Sequence, residues 1–197
     1  GRRSMTLAPE TADLDLARVI GKRISFAAVR EAVVMGVAAG LTEVKLYFMV
    51  GIPGETDEAA LAIVDYVERL QQSAPTARFS VAIGVLVPKP HTELQRAAVP
   101  DPRTVARRLK RVQRELRTRT RADVRVSSPR WSAVQTVLTR GGRELAPVIA
   151  RAAGGGPGDF ARALAAAGLA LEDYLAEQTG PLPWEVVGAG ALLEAPR

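Results

Sequence analysis

Val44-Lys45-Leu46-Tyr47-Phe48-Met49-Val50-Gly51-Ile52-Pro53-Gly54-Glu55-Thr56 reads as a strand, a tight turn and the start of a helix. Residues 44–50 are almost continuously apolar, which predicts a strand covered on both faces. Gly51, Pro53 and Gly54 then force a turn. Asp57 and Glu58 follow, and acidic residues suit the positive N-terminal end of a helix. Leu61, Val64, Val67 and Leu70 recur at helical spacing and mark its buried side.

The same alternation extends both ways. Residues 5–8 predict a short buried strand ended by Pro9 and Glu10, and residues 13–20 a short helix. Ser25 is the expected N-cap of a second helix with Phe26, Val29, Val33 and Val37 on one side, closed by Gly40. Residues 79–87 predict a third strand, and four prolines at positions 88, 90, 100 and 102 bracket an irregular loop. Residues 103–121 predict a basic amphipathic helix with Val105, Leu109, Val112 and Leu116 inward and the arginines on the outer, solvated face. Residues 123–127 predict a last short strand. Strands alternating with helices imply an α/β fold with a parallel sheet and right-handed crossovers. Three or four such units are too few for a closed eight-stranded barrel, which takes about 250 residues. The expectation is therefore a small open sheet or part of a barrel.

After Ser128 the pattern becomes helical, with one or two helices over 130–151, a flexible break at 154–158, an alanine-rich helix capped by Asp159, and a further short helix ending near Gln178. Residues 181–197 carry few structural signals beyond Trp184. This organisation predicts two domains, 1–128 and 129–197.

Composition limits the chemistry. The 197 residues include no cysteine and one histidine, His91. Disulfides, zinc fingers and iron–sulfur ligation by cysteine cannot be built from these residues alone. With no Gly-x-Ser-x-Gly elbow, a Ser/His/Asp nucleophile is disfavoured as well. No metal-ligating set is predicted. No segment is apolar for long enough to predict a membrane span, and no export signal is read, so the expected location is the cytoplasm. The net charge of +6 admits an RNA-contacting role, though an outer face of solvated arginines is the favoured account of it.

In a parallel sheet, ligands bind beyond the C-terminal ends of the strands. Three places sit there: Glu10; the turn Gly51-Ile52-Pro53-Gly54-Glu55; and Val87 with the following Lys89-Pro90-His91-Thr92; the basic pair Lys22 and Arg23 follows the first short helix and could pair with a ligand carboxylate. Glycines let the backbone approach a ligand, and a carboxylate such as Glu10 can accept from a ribose diol. The same pieces also serve as an ordinary βα turn, a solvated loop acid and a lone loop histidine, so local pattern leaves each reading open.

Together they form a family signature. Thr6-Leu7-Ala8-Pro9-Glu10, Lys45 through Thr56, and Val87-Pro88-Lys89-Pro90-His91-Thr92 resemble, in order, the latter half of the radical S-adenosylmethionine (SAM) core of proteins with an associated cobalamin-binding domain. Pro129-Arg130-Trp131-Ser132, residues 145–149 and Leu182-Pro183-Trp184-Glu185 resemble that subfamily's C-terminal extension. The resemblance implies strands four to six of a (β/α)6 partial TIM-type barrel followed by a small, mostly helical extension. It implies that Glu10 holds the SAM ribose and that Lys22 faces the SAM carboxylate. It also implies that Gly51, Ile52, Pro53, Gly54 and Glu55 form the loop beside adenine, with Ile52 on the ring, and that Val85 to Val87, at the end of strand six, offer backbone contacts to it. The implied cofactors of the intact protein are SAM, a 4Fe-4S cluster and cobalamin, and the implied partner of this half is an N-terminal half carrying CxxxCxxC. The chain departs from the family in lacking those cysteines and the glycine-rich segment for the SAM amino group, and in having Gly21 where asparagine is usual. Catalysis by these residues alone is not expected. The rival expectations are an RNA-contacting module and a non-catalytic structural remnant.

Overall fold

The computed structural model describes residues 3–185. Residues 186–197, most of the tail read above from 181 onward, lie outside the described residues. The chain divides into two compact units.

The first unit runs to Leu86 and resumes over Pro102–Pro129. It holds four strands, β1 (Ser4–Glu10), β2 (Glu43–Val50), β3 (Arg78–Val85) and β4 (Asp123–Val126), and four helices, α1 (Leu14–Val19), α2 (Phe26–Ala38), α3 (Asp57–Ser73) and α4 (Pro102–Arg119). The strands lie in the order β1-β2-β3-β4 and every neighbouring pair is parallel.

Local chemistry sets the helix starts. Asp13 Oδ1 accepts the N–H of Asp15 at 2.8 Å, Ser25 Oγ that of Ala28 at 3.2 Å, and Thr56 Oγ1 that of Ala59 at 3.1 Å. Each satisfies an amide that the helix itself cannot.

The core lies on one face of the sheet. Val44, Leu46, Phe48 and Val50 of β2 join Phe79, Val81 and Ile83 of β3 and Val124 of β4 in a single apolar cluster. The same cluster takes Val29 and Val33 from α2, Ile63, Val64, Val67 and Leu70 from α3, and Val105, Leu109, Val112 and Leu116 from α4. The three crossover helices therefore cover the same side. This corrects the expectation that residues 44–50 are covered on both faces. Burial alternates along β2, and Tyr47, on the opposite face, is 47% exposed. Lys45 and Tyr47 interrupt the apolar run at alternate positions, so the period of two decides which side is buried.

β1 is the least regular strand. Leu7 pairs with Leu46 but Glu10 with Phe48, so β1 carries one residue more than its partner there. This is a bulge, and Pro9, which has no N–H to give a ladder, sits within it. The strand predicted to end at Ala8 thus resumes pairing at Glu10. β3 ends earlier than predicted, at Val85, although the Leu86 N–H still donates to Val50 O at 2.8 Å. Pro88, with no N–H, cannot extend the ladder.

The second unit takes Val87–Asp101 together with residues from Arg130 onward. Its helices are α5 (Pro129–Arg140), α6 (Ala146–Ala152), α7 (Pro157–Ala166) and α8 (Leu171–Leu175), with a 3-10 turn at Arg143–Leu145. Asp159 is not the cap of α7 but lies in its first turn, where its carboxylate reaches back to the Gly156 N–H at 2.8 Å. The proline loop belongs here because it is stitched to the C-terminal segment. Arg140, 3% exposed, donates to the carbonyls of Tyr174 (2.6 Å), Ala176 (3.1 Å), Gln95 (3.3 Å) and Ala97. Burial lowers the Arg140 pKa. Arg96 donates to the carbonyls of Gln178 and Gly180 at 3.1 and 2.7 Å.

Within the first unit, Tyr66 of α3 packs edge-on against Phe26 and Phe48, with ring centroids 4.8 and 5.5 Å away. Its buried hydroxyl has no hydrogen-bond partner among the described residues. Burial pushes the phenol up to about 12. An unmet hydroxyl is a cost, so Tyr66→Phe should leave stability at pH 7 unchanged or raise it by about 1 kcal/mol. A raised folded pKa is a stabilising difference below the unfolded value near 10 and is lost as pH climbs toward 12. Urea melts of both proteins between pH 8 and 12 should therefore diverge above pH 10, with Tyr66→Phe losing less.

Candidate functional site

The C-terminal ends of β1 and β2 carry the candidate groups of the first unit. Glu10 stands where the bulge in β1 returns to register, and its backbone is left-handed at φ 68. A side chain at such a φ is strained, and glycine would take the place without penalty. The carboxylate is 19% exposed, and its one described partner is Lys22, with Nζ 3.5 Å from Oε1. No hydrogen bond from a described residue reaches it. Glu10 is thus a half-buried carboxylate with unused acceptor capacity, and a cation lies beside it. Lys22 follows the end of α1, where its own N–H donates to Ala17 O at 2.8 Å.

After β2 the chain turns through Gly51 and Gly54, at φ 86 and 81. Glu55 makes this turn rigid from inside. Its Oε2 accepts the Gly51 N–H at 2.7 Å, and its own N–H donates to Ile52 O at 2.9 Å. The same Oε2 meets Arg108 Nη1 at 2.6 Å, while Arg108 Nε reaches Asp57 Oδ1 at 2.9 Å. The Glu55 side chain is 1% exposed and that of Arg108 9%. Burial pushes the Glu55 carboxyl up, against the Gly51 N–H and Arg108, which pull it down. Burial also works against the Arg108 cation, but the Asp57 and Glu55 carboxylates outweigh it and its pKa is raised.

The structure therefore brings Glu10 and Lys22 together and places Gly51, Pro53 and Gly54 on the same end of the sheet. Glu55 works inside the loop rather than on its surface. Ile52 is 1% exposed and turned into the protein interior. Val87 lies two residues past the end of β3 and belongs to the second unit, half-buried.

Arg108 is the residue that sequence reasoning misplaced. The helical pattern puts every arginine of 103–121 outside, yet Arg108 points inward because two acids of the preceding βα turn need a partner. Its position beside Leu109, on the margin of the apolar stripe, was the available signal. Two further arginines of α4 are also engaged: Arg114 with Glu115 at 2.9 Å, and Arg119 with Asp65 at 2.6 Å and with Glu68. Part of the basic charge that suggested RNA is thereby taken up within the protein.

No protein-family model matches the sequence. No solved structure matches it either. An uncharacterized protein of Methanocaldococcus jannaschii is 31% identical over 93 residues, which are 47% of this chain and 20% of that protein. The chain thus matches a fifth of its relative's length. Among the described residues, no helix is long and apolar enough to cross a membrane, and no group of three or more His, Cys, Asp or Glu side chains is placed to hold a metal ion.

Removing one side of the buried pair isolates the other. Arg108→Ala should cost about 3–5 kcal/mol, because it strands a buried carboxylate. Glu55→Gln with Arg108→Met should recover most of that loss. A double-mutant cycle in urea measures the coupling, and a value near zero would show that the turn is held by something else.

Proposed function

We propose that this chain is the nucleoside-binding half of a radical SAM-type partial barrel, which holds the ribose and adenine of S-adenosylmethionine. The observation that carries the reading is Glu10. A carboxylate fixed at φ 68, with no hydrogen bond from a described residue and Lys22 3.5 Å away, suits a vicinal diol beside a charged amino-acid tail. The turn at Gly51 and Gly54, braced from within by Glu55, supplies close backbone approach at the same end of the sheet.

The winding supports the barrel part of the reading. The parallel strands run in consecutive order, and the crossover helices α2, α3 and α4 all pack on one face. A doubly wound sheet reverses its order and clothes both faces. The open face of β2 and β3, lined by Lys45, Tyr47, Met49, Ser80, Ala82 and Gly84, would be the inside of such a barrel.

The residues do not fit an iron–sulfur cluster, since the sequence has no cysteine. No step through a cluster or through cobalamin is assigned to these residues. Their role is to bind and orient the nucleoside.

Calorimetry with S-adenosylhomocysteine and with adenosine tests the proposal. Both should bind, and Glu10→Ala should weaken both at least tenfold, about 1.4 kcal/mol. Lys22→Ala should weaken S-adenosylhomocysteine more than adenosine, because only the former carries a carboxylate. If neither ligand binds while single-stranded RNA binds with steep salt dependence, the RNA-contacting reading replaces this one.

A further inference from the structure

With Arg108 buried and Arg119 paired, the cations left on α4 fall on one side of the helix. Arg107, Lys110, Arg111, Arg114 and Arg117 are all exposed and recur at intervals of three and four residues. That spacing stacks side chains along one face, here over about 15 Å. The stripe lies opposite Val105, Leu109, Val112 and Leu116, which are in the core. Lys110, Arg111 and Arg117 make no hydrogen bond or ion pair with a described residue. Among the described residues, Arg107 has only Thr104 Oγ1, at 3.2 Å. Arg114 has its neighbour Glu115 at 2.9 Å, an exposed pair that solvent screens.

The acids are elsewhere. Glu115 is the one acidic residue of α4. It lines the groove between α3 and α4 together with Glu58 and Asp65, and Arg119 reaches Asp65 at 2.6 Å. The outer stripe is left with one sign of charge. A face that only needs to be solvated can mix signs, as α2 does with Arg30 and Glu31 and α3 with Glu68 and Arg69. Like charges three and four residues apart destabilise a helix. The stripe is therefore a cost to the fold that no described residue offsets, and a polyanion would offset it.

The rest of the surface narrows the choice of polyanion. The apolar residues of α4 face the core, so the helix has no outward apolar edge to sink into a lipid surface. It carries no aromatic side chain on which unpaired bases could stack, which disfavours a single strand. Reading the major groove of DNA takes a helix that enters the groove. One face of α4 is held in the core and α3 packs along it, so only its outer face is offered. Double-stranded RNA is met in the manner such a face permits, through phosphates and shape across a wide, shallow groove.

We propose that the outer stripe of α4 is a phosphate-backbone interface for double-stranded RNA. It is a second surface of the first unit, on the outside of a helix, and it does not rest on the nucleoside reading.

Fluorescence anisotropy of the full chain with a labelled RNA duplex of about 20 base pairs, between about 50 and 200 mM salt, tests the proposal. The duplex should bind, with affinity falling steeply as salt rises. Replacing Arg107, Lys110, Arg111 and Arg117 by Gln should weaken binding at least tenfold and flatten the log–log salt slope by about three to four, near one for each lost phosphate contact. All four side chains are exposed, so the melting temperature should stay at or above that of the parent. Lys110→Gln with Arg117→Gln is the milder variant and should give about half the change in slope. Replacing Arg3, Arg78, Arg143 and Arg151 by Gln removes the same charge from other exposed positions and should leave affinity within about threefold. Equal weakening by the two fourfold sets would show that only net charge matters, and the proposal would fall. It would also fall if a DNA duplex or single-stranded RNA of the same length bound as tightly, or if polyglutamate displaced the duplex at equal charge concentration. Absence of binding at the lowest salt would overturn it outright.

Discussion

The Glu55 carboxylate does two things with one oxygen, and the first unit is organised around it. It caps the left-handed Gly51 amide at the end of β2, and it draws Arg108 out of an otherwise solvent-directed row on α4. Arg108 passes the tie on to Asp57 at the start of α3. One strand end, one turn and two helices are thus fixed by a buried ion pair whose charges are satisfied by hydrogen bonds. Such a pair adds little net stability over apolar side chains of the same size, because removing both ions from water costs nearly what their attraction returns. Its effect is positional: a shifted strand or a rotated α4 would leave a buried charge alone.

Strain is stored at two other places. Glu10 and His91 both hold conformations that glycine adopts more easily, Glu10 as the last residue of β1 and His91 six residues past the end of β3. Elsewhere among the described residues, positive φ is left to glycines, at Gly21, Gly40, Gly154 and Gly168 as well as in the Gly51 turn. The protein thus uses glycine where only the turn matters and spends side chains at two places. Those two side chains also lack hydrogen bonds from described residues, so strain and unused polar capacity coincide.

Much of this fold was legible in the sequence because periodicity reports burial. The inward residues of α4, Val105, Leu109, Val112 and Leu116, are all in the core, and Ser25 and Thr56 sit where local hydrogen-bonding rules put caps. The covering of the strands was not legible. Seven nearly apolar residues at 44–50 look alike whether one face or both are buried, and only the register of neighbouring strands separates Phe48 from the exposed Tyr47. The site was legible as a set of positions and not as a set of roles. Pattern put Glu10 and the Gly51 turn at one end of the sheet, and only the family resemblance pointed to Lys22. It could not show that Glu55 faces inward, because that depends on an arginine 53 residues away. The inclusion of the proline loop in the second unit was hidden for the same reason, since its partners lie far along the chain.

That last arrangement bears on how the molecule comes to be assembled. Arg96 is held by Gln178 across 82 residues of sequence, and Arg140 binds carbonyls on both sides of itself, at Gln95 and Tyr174. During synthesis, α4 and β4 emerge after residues 87–101 and can complete the sheet while that loop still has nothing to bind. The loop then waits for the chain to reach the end of α8. Contacts so distant in sequence form late, because closing a long loop costs entropy before any bond returns it. The segment that carries His91 is accordingly among the last parts of the protein to take its final shape, and a chain released early would have a finished sheet and an unfinished loop.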